Sequence, residues 1–214
     1  PLIVGCDFNF SPAPHIWMVG QLGPSGHEGK IHWFQELCRV ETSTRSMARA
    51  LMAQFPGFFY RVYGDASGAI GTTSNAGEHD YNQMSQEFAD AGAMSSIDYW
   101  QPETSHTTHS NPIVRDRVEN MNAKFQNAMG EVHQTYNPDL CPNFDQDMNM
   151  VGWKQTTQRG RGKLDDAGDK NRTHASDGAG YAVWKLLPPQ RRGYIIEGIP
   201  SQASELGRSS RRFG

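Results

Sequence analysis

Residues 2–7 read LIVGCD, a short apolar run that ends in a single carboxylate, Asp7. Apolar residues without polar alternation are typical of a strand that is buried on both faces of a sheet. An ionised aspartate at the end of such a strand needs a counter-charge or a function, because burying an isolated charge is costly. Residues 58–65, FFYRVYGD, repeat the arrangement, so a second predicted strand also ends in an acid, Asp65.

The composition is typical of a globular protein with one core. The chain has 214 residues, a formal net charge of -3 and 36% hydrophobic residues. A chain of this length buries one sizeable core, so we predict one domain over residues 1–189. Residues 190–214 are rich in Gly, Ser and Arg, with five arginines against two glutamates. We predict that they form a basic, flexible tail.

Several classes of protein are excluded by the sequence. Three cysteines without C-x-x-C spacing argue against a disulfide framework and against a zinc ribbon. The sequence shows neither a signal-peptide pattern nor an apolar run of 18 residues, so we expect a cytoplasmic protein without membrane contact. Because the chain opens at Pro1 inside a predicted strand, we expect a domain cut from a longer protein. The net charge does not exclude a nucleic-acid partner, since acids at a metal site can cancel basic residues around it.

The hydrophobic pattern of the first half predicts an α/β arrangement. Residues 2–7, 15–20 and 30–38 are predicted strands of an antiparallel meander. Hydroxyl residues at 42–44 cap a helix with apolar residues at four-residue steps, and this helix leads into the strand at residues 58–65. Because a helix connects two strands, we expect those strands to lie parallel in one sheet.

The middle of the chain gives weaker signals. Residues 66–77 are mostly Gly, Ser, Thr and Ala and predict a mobile loop beside Asp65. A weak helix through Met84 and Phe88 and a short strand at residues 97–100 follow. His106 and His109 have H-x-x-H spacing in a polar loop, where solvated histidines are commoner than metal ligands.

The clearest predicted helix begins at Asn111 and Pro112, which are an N-cap and a first-turn residue. Its other face carries Arg115, Arg117 and Lys124, which indicate either a solvated face or contact with DNA phosphates. The apolar stripe of this helix is Val114, Val118, Met121, Phe125 and Met129.

The last part of the domain carries a basic insertion and a final helix. Residues 132–136 predict a strand and residues 144–153 a helix. Residues 154–163 are basic and punctuated by glycine, which indicates a flexible hairpin. A last helix begins near Thr173 and places Asp177 in its first turn, where the helix dipole favours an anion. The cations of the hairpin are Lys154, Arg159, Arg161 and Lys163.

Three acids are therefore expected where strand ends and a helix start meet, which is where α/β proteins place ligand sites. Asp7, Asp65 and Asp177 would repel one another there unless cations lay between them. Hard oxygen ligands suit Mg²⁺ or Mn²⁺, and two such ions about 3.5–4 Å apart serve phosphodiester hydrolysis. Aspartate is also a common strand-end and N-cap residue, so a structural role remains open.

Four stretches carry a resemblance to a known family. They are residues 4–8 (VGCDF), 63–68 (YGDASG), 111–118 (NPIVRDRV) and 169–181 (DKNRTHASDGAGY), of which the last is the most specific. Here the sequence resembles the C-terminal nuclease domain of the large terminase subunit of tailed bacteriophages, in the RNase H-like (retroviral integrase) superfamily. The resemblance implies an α/β fold with a central mixed sheet. Strands 1–3 would be antiparallel and further strands parallel, with flanking helices and a basic β-hairpin insertion.

The resemblance also implies roles for single residues. Asp7, Asp65 and Asp177 would bind two Mg²⁺ or Mn²⁺ ions, with Asp7 shared between them. His174 and Ser176 would support these acids or cap the helix, and Lys170 would approach a phosphate. The remaining acids that could complete the metal shell are Glu41, Asp80 and Asp166.

The function implied by the resemblance is a metal-dependent endonuclease that cuts concatemeric phage DNA during genome packaging, with little sequence specificity. The chain has no G-x-x-x-x-G-K-[ST] motif, so we expect no ATPase activity in it. The expected partners are double-stranded DNA, a packaging ATPase domain on the same full-length chain, a portal protein and a small terminase subunit. The isolated domain is expected to be a monomer in the cytoplasm of the infected bacterium.

Two other functions remain open at this point. One is a non-cutting module that docks on DNA or on the portal through basic segments. The other is a Holliday-junction resolvase or transposase-like nuclease of the same fold.

Overall fold

The computed structural model describes residues 1–8, 13–23, 29–70, 78–100, 111–153, 164–165, 169 and 172–189. The tail and the division of the chain at residue 189 therefore stay predictions. The sequence-predicted residues that lie outside the described ranges are His106, His109, Lys154, Arg159, Arg161, Lys163, Asp166 and Lys170.

A six-stranded mixed sheet forms the centre of the fold, in the order β5-β4-β1-β2-β3-β6. β1, β2 and β3 are antiparallel neighbours, as predicted. β4 lies parallel to β1, β5 parallel to β4, and β6 parallel to β3. The strands are β1 (Leu2–Asp7), β2 (His15–Leu22), β3 (Ile31–Arg39), β4 (Tyr60–Gly64), β5 (Ser95–Tyr99) and β6 (Gln134–Tyr136).

Helices cover both faces of this sheet. Helix α1 begins after Ser43, whose Oγ accepts a hydrogen bond from the backbone N–H of Ser46 at 3.2 Å. Because β1 is covered on both sides, its side chains alternate between two cores: Ile3 belongs to one, and Val4 and Cys6 to the other. The helices are α1 (Thr44–Gln54), α2 (Asp80–Asp90), α3 (Val114–Phe125), α4 (Pro142–Met150) and α5 (His174–Leu186).

Each core has its own set of helices. Met47 and Leu51 of α1 and Phe88 of α2 pack in the core that contains Val4. Phe144 of α4 and Val183 of α5 pack in the core that contains Ile3. The sheet is therefore the middle layer of three, and the ends of its strands lie between two helical layers. No helix in the described part of the chain is long and apolar enough to cross a membrane.

The basic insertion has a β-hairpin base. β7 (Gly152–Trp153) pairs antiparallel with β8 (Leu164–Asp165), on either side of residues 154–163. The predicted helix over residues 144–153 is therefore wrong at its end: α4 stops at Met150 and the chain turns into β7. The predicted loop at residues 66–77 also begins differently, because Ser67–Ala69 form a single 3₁₀ turn.

Helix α3 buries only part of its predicted apolar stripe: Met121 is buried and Phe125 packs against the core. Val114 is 42% exposed, and Met129 lies beyond the helix end at Phe125 and is 78% exposed. The buried side chains of α3 are Arg117, Asn120 and Met121. The placement of Arg117 on a solvated, DNA-facing surface is therefore wrong, because its side chain points into the protein.

Candidate functional site

Strand pairing places Asp7 and Asp65 at the same edge of the sheet. β1 and β4 are parallel, and Cys6 pairs with Gly64. The residues that follow this pair, Asp7 and Asp65, therefore lie side by side at the ends of the two strands. The carbonyl of Asp65 accepts a hydrogen bond from the Tyr81 hydroxyl at 2.7 Å, which fixes the end of β4 against α2. The two acids predicted from the strand ends are therefore neighbours.

Asp65 is 7% exposed, and its carboxylate accepts hydrogen bonds from neutral donors in the turn that follows it. Its Oδ1 lies 2.8 Å from the Ser67 hydroxyl and 3.4 Å from the backbone N of Gly68. The side chain of Asn111 fixes the same turn, because its Oδ1 accepts from the backbone N–H of Ala66 at 2.8 Å. Burial raises the pKa of Asp65, the Ser67 hydroxyl lowers it, and the charge of Asp7 raises it further.

Helix α5 brings the third acid to the same place by packing directly on β1. A Cβ at Gly178 would lie 2.9 Å from the carbonyl oxygen of Gly5, and one at Gly5 would overlap the carbonyl of Gly178. Only two residues without side chains allow the helix and strand backbones to approach so closely. This glycine pair places Asp177, in the first turn of α5, beside the end of β1.

Asp177 is held by Arg117 of helix α3. Nη2 of Arg117 donates to Oδ1 of Asp177 at 2.6 Å, and Nη1 donates to the carbonyl of the same residue at 2.9 Å. The guanidinium also lies 4.2 Å from the centre of the Tyr181 ring. Burial raises the pKa of Asp177 to about 6, Arg117 opposes this rise, and the charge of Asp7 adds to it. Asp7 thus acts electrostatically on both other acids.

Asp7 itself contacts the first residue of α5. Nδ1 of His174 lies 2.8 Å from Oδ2 of Asp7, and both side chains are largely buried. A ring N–H that donates to this carboxylate orients it and supports its negative charge. His174 therefore touches one of the three acids, whereas the Ser176 hydroxyl donates to the carbonyl of Thr173 at 3.0 Å within the first turn of α5.

The sequence did not point to Asp147 of α4, which holds the start of α5. Its two carboxylate oxygens accept from the backbone N–H groups of Thr173 and Ser176, each at 2.9 Å. Thr173 has φ of 78°, a conformation that is strained for a threonine. Asp147 thus stabilises the turn that aims His174 and Asp177. The acid lies more than twenty residues upstream of the helix it caps, so no local pattern identifies it.

Two other predicted residues have structural partners. Asp80 accepts from the Thr44 hydroxyl at 2.5 Å and joins the N-termini of α1 and α2. Arg115 is exposed and pairs with Glu119 one turn along α3, at 2.6 Å. Glu41 is exposed at a positive φ of 49° in the turn between β3 and α1.

The three acids have the ligand chemistry of a site for divalent metal ions. Their donor chemistry fits, because carboxylate oxygens are the ligands that Mg²⁺ and Mn²⁺ prefer. Their electrostatics fit as well, since Asp7 raises the pKa of both Asp65 and Asp177 and a cation would relieve this repulsion. Within the described ranges, however, no group of three or more His, Cys, Asp and Glu side chains is arranged to hold one ion. An ion bound here would have to share the carboxylate of Asp7 with His174 and that of Asp177 with Arg117, or replace these partners.

The fold is similar to solved nuclease domains of phage large terminases. The domain from bacteriophage SPP1, with bound Mn, has a TM-score of 0.50 at 16% identity, covering 86% of this chain and 85% of that chain. The P22 domain has a TM-score of 0.53 at 14% identity, covering 86% and 79%. The nuclease from thermophilic phage G20c, with bound magnesium, has a TM-score of 0.50 at 14% identity, covering 85% and 79%. These similarities confirm the predicted RNase H-like fold.

Comparison by sequence gives no relatives. No protein-family model and no curated protein matches the chain. The fold is therefore established by structure alone.

Proposed function

We propose that this chain is the nuclease domain of a phage large terminase subunit, which cuts concatemeric DNA during genome packaging. The observation that carries the proposal is the meeting of Asp7, Asp65 and Asp177 at one sheet edge, in a fold shared with such domains. Three carboxylates that meet at one edge repel one another, and divalent ions between them would relieve this repulsion.

Asp7, Asp65 and Asp177 are the residues that would hold two Mg²⁺ or Mn²⁺ ions. Such ions would activate water and stabilise charge on the phosphate oxygens during phosphodiester hydrolysis. The protein supplies the arrangement: the glycine pair sets the spacing of α5 from β1, and Asp147 fixes the first turn of the helix. His174 orients the carboxylate of Asp7, the acid that acts on both others.

Contacts with DNA are proposed to go to phosphates, so cutting would show little sequence specificity. Arg117 is excluded from this set, because its guanidinium is buried on Asp177. The wider role would bring the domain together with a packaging ATPase domain, a portal protein and a small terminase subunit in the cytoplasm of an infected bacterium. The cations proposed to contact phosphates are Arg115, Lys154, Arg159, Arg161, Lys163 and Lys170.

A plasmid-nicking assay with Mn²⁺ or Mg²⁺ tests the proposal. Asp7→Asn, Asp65→Asn and Asp177→Asn should each lower cutting by at least about a hundredfold, because losing even an outer partner of a metal ligand costs about 10–100-fold. Asp139→Asn, at an exposed site in the turn after β6, is the matched control and should cut normally. Equal cutting by the wild type and by Asp177→Asn would rule out the assigned site.

The ion pair on Asp177 favours one alternative, a module that binds DNA without cutting it. Such a module would bind duplex with a steep salt dependence and would leave the plasmid intact with either metal.

A four-way junction in the same assay tests the resolvase alternative, because preferential cutting of the junction over linear duplex would favour it.

A further inference from the structure

Arg117 is buried against helix α5, with Nη1 and Nη2 hydrogen-bonded to Asp177 and Nε without a hydrogen-bond partner. Its side chain is 3% exposed, although it lies on a helix whose neighbouring Arg115 is exposed. The guanidinium contacts the carboxylate and the carbonyl of Asp177 and the face of the Tyr181 ring. A buried arginine is retained only when its charge is paired, so Arg117 and Asp177 require each other.

The sequence DGAGY around Asp177 is the other half of this site. A Cβ at Gly180 would lie 3.3 Å from Cγ, Cδ and Nη1 of Arg117, closer than side chains normally pack. A larger residue at this position would therefore push against the arginine. Within five residues, the helix thus supplies the acid, the space and the aromatic face that hold one cation.

The charge of Arg117 makes the two acids that flank Asp7 unequal. Asp65 accepts from a hydroxyl and a backbone amide, which carry no net charge. Asp177 already has a full positive charge 2.6 Å from one of its oxygens. A divalent ion that approaches Asp177 therefore meets repulsion from the guanidinium, which is strong in a partly buried site. An ion that approaches Asp65 from the side of Asp7 meets two carboxylates and the ring of His174, which lies 2.8 Å from Oδ2 of Asp7 and is positive only when protonated.

We propose that Arg117 is the resident counter-ion of Asp177 and divides the metal site into two unequal halves. The stronger half is formed by Asp7 and Asp65, and the weaker half uses Asp177, whose side chain keeps 23% of its surface exposed beside the arginine. The protein then takes up divalent ions in two steps, and Arg117 sets the concentration at which the second step occurs. This inference rests on the proposed function.

The test is calorimetric titration of the metal-stripped protein with Mn²⁺, without DNA. The wild type should show a stronger and a weaker step. Arg117→Gln removes the charge and should tighten the weaker step by about tenfold or more. Arg115→Gln removes the same charge from the exposed side of α3 and should change neither step by more than about twofold, because exposed charges are screened.

Arg117→Lys separates the charge of the arginine from its shape. Lysine keeps the positive charge but cannot reproduce the two-point contact. Under this proposal the weaker step stays within about threefold of the wild type, since the charge remains. If Arg117→Gln and Arg117→Lys both weaken Mn²⁺ binding, Arg117 orients Asp177 as a ligand and the proposal is wrong. An unchanged weaker step in Arg117→Gln also overturns it.

Folding of the variant is followed by circular dichroism with and without Mn²⁺. If Arg117→Gln unfolds without metal, Mn²⁺ should restore the fold by taking the place of the guanidinium, and failure to do so contradicts the proposal. Two further outcomes distinguish the nuclease assignment from the role of Arg117. A wild type that neither binds Mn²⁺ nor nicks plasmid DNA refutes the nuclease assignment and this inference together. A wild type that nicks DNA but fills both positions in one step refutes the inference alone.

Discussion

The end of β4 and the first turn of α5 each place a carboxylate beside Asp7, one buried and one partly buried, and the two carboxylates have different partners. Asp65 takes its hydrogen bonds from Ser67 and Gly68, which are two and three residues further along the chain. The carboxylate of Asp177 accepts its hydrogen bond from Arg117, which lies sixty residues away in the sequence. Burial is the largest cause of the raised pKa at both positions.

The difference shows that the charges of two carboxylates in one cluster can be compensated to unequal extents. Neutral donors orient Asp65 but leave its charge uncompensated, so the negative potential remains available to a cation. An arginine compensates Asp177 and anchors α3 to α5. The local arrangement orients a carboxylate, whereas the long-range one also joins two helices. The following variants each change the surroundings of one of the two acids.

The largest effect is expected from removing the cation. Arg117→Met leaves Asp177 buried beside Asp7 without a counter-charge, which costs about 3–5 kcal/mol of unfolding free energy. Urea denaturation at pH 7 in the presence of a chelator measures it. Arg115→Met breaks only an exposed pair on the same helix and should cost less than about 1 kcal/mol. Similar losses in both variants would show that Asp177 does not depend on Arg117.

The second effect is a dependence on pH that arises from Asp177. Its pKa is raised to about 6, so between about pH 4 and pH 6 the folded state binds the proton more tightly than the unfolded state. The metal-free domain should therefore lose up to about 3 kcal/mol of stability as the pH rises through this window. Arg117, Asp7 and His174 are the charged groups that act on it.

Asp177→Asn should remove this part of the pH dependence. The comparison uses urea denaturation at several pH values, with chelator present throughout. The difference between variant and wild type isolates Asp177 from Asp65, whose pKa is also raised. If the unfolding free energies of the two proteins change with pH in parallel, the pH dependence does not arise from Asp177.

The third prediction concerns a substitution that moves Asp177 and leaves Asp65 in place. Gly178→Ala forces α5 away from β1 and should cost about 2 kcal/mol, as overpacked sites do. It should also lower DNA cutting, because Asp177 moves away from Asp7 while Asp65 stays. Gly152→Ala is the control, since a Cβ there meets no atom within 4 Å. Wild-type cutting by Gly178→Ala would mean that the spacing of α5 is not critical.

The smallest effect is expected at Asp65. Ser67→Ala removes one hydrogen bond to its carboxylate and should cost about 1 kcal/mol. The loss should be smaller when Mn²⁺ is present, because a cation would then stabilise the same charge. Ser85→Ala, at an exposed position on α2, is the control for the substitution itself. If Ser67→Ala lowers the unfolding free energy as much as Arg117→Met does, then Asp65 depends on its neutral partner as strongly as Asp177 depends on its charged one.

Most of the sheet could be predicted from sequence because its signals are local. The apolar run of β1, the meander through β3 and the parallel return at β4 follow from strand patterns and turn residues, and all are confirmed. The end of α4 was misplaced, because the pairing that turns residues 152–153 into a strand comes from residues 164–165. Such pairing has no signature in either segment alone.

The three acids could be predicted from strand ends and a helix start, but their supports could not. Asp147 and Glu36 are buried acids that cap helices far from them in sequence; the carboxylate of Glu36 accepts from the backbone N–H groups of Asn143 and Phe144. The burial of Arg117 follows from Asp177 and Gly180, which lie on another helix. In each case a polar residue is buried because of a tertiary partner, and hydrophobic periodicity contains no such information.

The order of the strands has a consequence for biosynthesis. Asp7 and Asp65 lie on paired strands near the start of the domain, whereas His174 contacts Asp7 across 167 residues. A ribosome adds about 5–20 residues per second, so β1 and β4 leave it several seconds before α5 is complete. Contacts of such long sequence separation also form late in folding. The cluster of acids is therefore completed only when α5 docks on Gly5, and a nascent chain that lacks this helix has only two of the three acids in place.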